Sequence, residues 1–80
     1  MVVIWRESNG DDVAWDAGCA CVIRRSANTI IASLVEGHVT TCRFSSDELA
    51  QVILATIADG LAHEEELVLD VADFIERLVA

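Results

Sequence analysis

The periodicity of the chain changes near residue 45, and that change limits what it can fold into. Before it, short runs rich in β-branched residues alternate with turn residues; after it, apolar residues recur every three or four positions. Val2 to Glu7 reads as a first strand, closed by the turn chemistry of Ser8-Asn9-Gly10-Asp11-Asp12. Val13-Ala14-Trp15 is its return strand, and Gly18 marks a break or bulge. Cys19 to Arg25, Thr29 to Val35 and His38 to Phe44 follow as strands, separated by Ser26-Ala27-Asn28 and Glu36-Gly37. Ser45 and Glu48 have the spacing of a capping box, and Leu49, Val52, Ile53, Ile57 and Leu61 form one helical stripe after it. Asp59-Gly60 predicts the end of that helix, with Gly60 as a left-handed cap. A second helix is expected from about His63, burying Leu67, Val71, Phe74, Ile75 and Leu78. The expected fold is a single α+β domain over residues 1–80. It has an antiparallel sheet of four to five strands (residues 2–44) and two α-helices (about 46–59 and 63–79) packed on one face.

The turns fix an expected register. A two-residue turn at 36–37 pairs Val35 with His38 and Ile31 with Cys42; a three-residue connection at 26–28 pairs Arg25 with Thr29 and Ile23 with Ile31. One face then carries Cys19, Cys21, Ile23, Ile31, Val35, Cys42 and Phe44 and should meet the helices. The other carries Ala20, Val22, Arg24, Ile30, Ala32, Leu34, Val39, Thr41 and Arg43. It is only half polar, which suggests a covering partner or second copy. Cys21 and Cys42 come out two strands apart, roughly 9–10 Å, too far for a disulfide. The three cysteines read as small buried side chains, and Trp5 and Trp15 as packing across the first hairpin. The two histidines, His38 and His63, form neither HxxxH nor HExxH, so no metal and no cofactor is expected.

Charge narrows the function. Fourteen acids face five bases, all arginine, giving a net charge of −9 and a pI near 4.3. Such a chain is repelled by nucleic acid and by anionic membranes, so direct binding to either is not expected. No apolar stretch approaches the ~18 residues of a membrane span, and Arg6 and Glu7 interrupt the N-terminal apolar run, which points to a soluble, cytoplasmic protein. No phosphate loop, GxSxG motif or convincing Cys–His spacing argues for an enzyme.

The acids are unevenly placed. Residues 1–44 carry Glu7, Asp11, Asp12, Asp16 and Glu36 against Arg6, Arg24, Arg25 and Arg43, a net −1. Residues 45–80 carry Asp47, Glu48, Asp59, Glu64, Glu65, Glu66, Asp70, Asp73 and Glu76 against Arg77, a net −8. On the expected second helix, Glu66, Asp70 and Asp73 share one ridge. Six acids between Glu64 and Glu76 would then lie along ~18 Å, about one per 3 Å. A DNA strand carries roughly one charge per 3.4 Å.

A small, acidic, lysine-free chain with an antiparallel sheet and acidic helices resembles the phage-encoded anti-CRISPR proteins that inhibit type I systems, several of which act as DNA mimics. The resemblance is one of overall character, centred on Glu64-Glu65-Glu66, Asp70, Asp73 and Glu76. It implies a protein inhibitor acting in the host cytoplasm. Its partner would be a basic nucleic-acid-binding protein, such as a CRISPR surveillance-complex subunit, and its binding residues would be the nine acids of residues 45–80. Two other readings share the same composition: an immunity or antitoxin protein that neutralises a basic toxin, and a homo-oligomeric module, such as a dimer through the sheet.

Overall fold

A computed structural model describes residues 1–7, 9–63 and 66–72. Strands β1 (Val2–Arg6) and β2 (Asp12–Asp16) form the first hairpin, and a 3-10 turn (Ala17–Cys19) leads into β3 (Ala20–Ser26). Strands β4 (Thr29–Leu34) and β5 (Val39–Arg43) follow, then helix α1 (Asp47–Ala62) and a last strand, β6 (Val68–Asp70).

These strands make two sheets rather than one. The first has the order β2-β1-β6, the second β3-β4-β5. The 3-10 turn separates them: the Asp16 carboxylate accepts from the Gly18 N–H at 2.9 Å, so the chain bends out of the first ladder before β3 begins. This corrects the expectation of one four-to-five-stranded antiparallel sheet followed by two helices.

The second correction concerns residues 63–79. Glu66 and Leu67 lie in a connection, and Val68–Asp70 pair in parallel with β1, Val2 opposite Val68 and Ile4 opposite Asp70. A parallel neighbour requires a crossover, and α1 supplies it. Among the described residues α1 is the one α-helix of several turns, and no helix is long and apolar enough to cross a membrane. The rest of the expected second helix, residues 64, 65 and 73–79, lies outside the described residues. The helical stripe assigned to Leu67 and Val71 is met differently: Leu67 is 53% exposed, while Val71 enters the core directly after β6.

Both hairpin loops differ from expectation by one residue, in opposite directions. Ser26 pairs with Thr29, leaving a two-residue turn, and Ala27 takes up the positive φ of 52° that this requires. Leu34 N–H donates to the His38 carbonyl at 2.8 Å, leaving the three-residue loop 35–37 with Gly37 at φ 83° and Val35 exposed. The two shifts compensate. β3 and β5 keep Ile23, Cys42 and Phe44 inward as expected, but β4 is turned over. Ile30 and Ala32 are fully buried, while Ile31 shares the outer face with its neighbours Arg24 and Thr41. A bulge between Ala20 and Val22 breaks the β3 alternation, so Cys21 is exposed; Cys19, in the 3-10 turn, is exposed too. Only Cys42 is a buried cysteine. Burial pushes its thiol up to about 11, opposed by a hydrogen bond from the Arg6 backbone.

Helix α1 starts one residue later than a cap at Ser45 would allow. Ser46 is the cap, its Oγ accepting from the Leu49 N–H at 3.1 Å. That places Leu49, not Glu48, at the third helical position, so no capping box closes. The helix buries Leu49, Ala50, Ile53 and Ile57 against the β3-β4 side of the second sheet and the 3-10 turn; Val52, expected in the stripe, is 45% exposed. Gly60 is not the cap. It is buried inside the helix, where an added Cβ would lie 2.7 Å from the Met1 sulfur, and His63 ends the helix instead. The core joins both sheets: Val3, Trp5 and Trp15 pack with Ile30, Ala32, Phe44, Ile53, Ile57 and Val71.

Candidate protein-interaction surface

Among the described residues, the acids singled out from the sequence do not form one ridge. Asp47 and Glu48 are exposed in the first turn of α1, where they complement the helix dipole. Asp59 is exposed near the other end, roughly 17–18 Å along the axis, with its carboxylate 3.4 Å from His63 Nδ1. Glu66 is exposed in the connection before β6. Asp70 ends β6, and its Oδ1 accepts from the Ala72 N–H at 3.0 Å. Glu64, Glu65, Asp73 and Glu76 lie outside the described residues. Because β6 is a strand, Glu66 and Asp70 are not successive turns of a helix, and the ridge expected to run through them does not form.

What the fold does bring together is a patch at the β6 end of the first sheet. The edge strand leaves Val68 66% exposed, and the connection exposes Leu67. Two adjoining depressions share Met1, Leu67 and Val68. One, of about 280 Å³, is also lined by Val2, Asp16 and Glu66. The other, of about 130 Å³, adds Thr56, Asp59, Gly60 and Leu69. Three carboxylates from three parts of the chain therefore rim an apolar centre: Asp16 from β2, Asp59 from α1 and Glu66 from the connection. Gly60 makes this possible, since a side chain there would displace Met1 from beneath the patch.

Asp16 lies outside the acid-rich segment 45–80 that charge alone points to. Its only local signal is Gly18 two residues on, the spacing at which a carboxylate accepts a backbone N–H. The Gly18 N–H holds its carboxyl below the usual carboxylate range, and the Met1 ammonium at 3.4 Å acts in the same sense; partial desolvation opposes both. The group therefore stays ionised through mildly acidic pH and keeps the rim negative.

A second surface differs in sign. The outer face of the second sheet is built from three cross-strand rows: Val22–Ser33–Val39, Arg24–Ile31–Thr41 and Ser26–Thr29–Arg43. Val22 and Val39 are both more than half exposed, at 51% and 60%. Among the described residues, neither Arg24 nor Arg43 has a carboxylate partner, whereas Arg6 of the first sheet pairs with Asp12 at 3.3 Å.

A third surface, an open depression of about 450 Å³, gathers Asp16, Cys19, Glu36 and His38 around Leu34 and Val35. Among the described residues no three His, Cys, Asp or Glu side chains converge as metal ligands would. No protein-family model matches the chain, and neither curated proteins nor solved structures include a significant match.

Proposed function

We propose that the protein is a binding protein, not a catalyst, that docks the acid-rimmed Leu67–Val68 patch on a basic surface of a nucleic-acid-binding protein and competes there with nucleic acid. The observation that carries this reading is the exposed apolar centre ringed by Asp16, Asp59 and Glu66. An apolar anchor inside a charged rim is the anatomy of a protein interface, and the rim's sign selects a partner rich in lysine and arginine. The sequence from Phe44 to Glu76 contains no Lys or Arg at all, so no lysine or arginine within that segment neutralises its acids. Asp47 and Glu48 extend the negative field along α1 and speed encounter at low salt. A CRISPR surveillance-complex subunit is the instance of such a partner that the anti-CRISPR resemblance implies.

Competition binding tests the reading. The protein should displace a nucleic acid from its basic effector, with an affinity that weakens as salt rises. The double variant Asp59→Lys/Glu66→Lys should lose on the order of 100-fold, about 1.4 kcal/mol for each reversed charge. An effector that holds its nucleic acid equally well with and without saturating protein would remove the proposal.

A further inference from the structure

The arginine-bearing sheet face carries an inference of its own, which rests on the acid-rimmed patch of the proposed function. We infer that this face, which presents Val22, Ile31 and Val39 beside Arg24 and Arg43, is the receptor for the Leu67–Val68 patch of a second copy, so that the chain associates head to tail.

Three observations support it. Acids outnumber bases fourteen to five, yet Arg24 and Arg43 have no acidic partner among the described residues. In a chain with so many carboxylates, two such guanidinium groups on one sheet face stand available for an intermolecular acid. Second, the two surfaces are complementary: each exposes apolar side chains, Leu67 and Val68 beside carboxylates on one, Val22 and Val39 beside Arg24 and Arg43 on the other. Third, they face different ways. Helix α1, which carries Asp59, covers the inner face of the second sheet, and the arginine rows occupy its outer face. A copy therefore cannot bring its own acidic rim to its own arginines, but it can use both surfaces at once.

The net charge of −9 opposes association at long range. At physiological ionic strength that repulsion is screened beyond ~8 Å, and contact is decided by the facing groups. Three strands by four residues give a flat footprint on the order of 200 Å², far below the ~800 Å² per partner of a stable complex. The contact is accordingly weak and transient, populated at high local concentration. Because it joins unlike surfaces, it does not close at two copies.

Sedimentation velocity of the full chain, from low micromolar to millimolar concentration, tests this. The average mass should climb past that of a dimer, and the climb should shrink at high salt. Arg24→Gln/Arg43→Gln and Asp59→Lys/Glu66→Lys should each stay monomeric, with folding checked by circular dichroism. Mixed in equal amounts, the two variants should form a species that stops at a dimer, since each supplies the one surface the other lacks. A wild-type chain that remains monomeric at millimolar concentration, or that stops at dimers, overturns the inference; so does a mixture that stays monomeric. The competition assay separates this from the functional reading. Arg24→Gln/Arg43→Gln should displace nucleic acid as well as wild type does, so self-association can fail while that reading stands, and the reverse.

Discussion

The acid-rimmed patch and the arginine-bearing sheet face are built by opposite means. The patch is assembled from distant parts of the chain: Met1, Asp16, Asp59 and Glu66 to Val68 meet only because β6 returns beside β1. The sheet face is local, made from three successive strands within residues 20–43. The patch therefore depends on the whole fold and the face on two hairpins. A net charge of −9 describes neither, because one surface gathers Asp16, Asp59 and Glu66 and the other presents Arg24 and Arg43.

The most disruptive way to break this comparison is Ile53→Ala. Ile53 is fully buried and holds α1 on the second sheet. Removing its side chain should cost about 3 kcal/mol, a large share of the roughly 4–12 kcal/mol available to a chain of this length. Urea unfolding should show it, and the patch should be lost before the sheet face.

Next come the two tryptophans, which touch at a ring-centroid distance of 4.9 Å but differ in one bond. Trp5 Nε1–H donates to Thr40 Oγ1 at 2.8 Å, and Thr40 donates in turn to Glu7, tying β1 of the first sheet to β5 of the second. Trp15 Nε1 is buried with no hydrogen-bond partner among the described residues. Trp5→Phe should therefore destabilise by about 1 kcal/mol more than Trp15→Phe, since only the latter also removes an unsatisfied donor. Equal losses in matched denaturation curves would show that the Trp5–Thr40 bond does not couple the sheets.

The smallest effect should sharpen the comparison by touching one side only. Ala27 sits at φ 52°, a backbone region that favours glycine. Ala27→Gly should stabilise the chain by roughly 0.5–1 kcal/mol, read as a higher midpoint with unchanged slope, and leave competition at the acidic patch unaltered.

The positions of five strands and of α1 are legible in the sequence because turn chemistry and periodicity are local signals. Gly18 signals a break, but that the break divides the strands into two sheets is not legible: the bend at Ala17–Cys19 involves an Asp16–Gly18 hydrogen bond. The face of β4 depends on loop lengths, where Gly37 closes a three-residue loop as naturally as a two-residue one, and Ala27 accepts a conformation its side chain disfavours. Leu67 and Val71 have helical spacing, so residues 63–79 read as a helix. Only the pairing with Val2 to Ile4, some 66 residues away, makes an edge strand of Val68 to Asp70. The candidate site follows the same division. Charge alone points to Asp59 and Glu66, whereas Asp16 and the apolar centre need the tertiary structure.

The pairing of β1 with β6 also orders events in time. Val2 leaves the ribosome's catalytic centre 66 residues ahead of its parallel neighbour Val68. At 5–20 residues per second a ribosome takes roughly 3–13 s to cover that interval. The second sheet, with only local pairings, does not depend on residue 68; the first cannot be completed without it. During those seconds β1 lacks the ladder partner that β6 supplies. The acidic surface thus waits on residues that follow both hairpins, and a chain cut short before residue 68 should lack it.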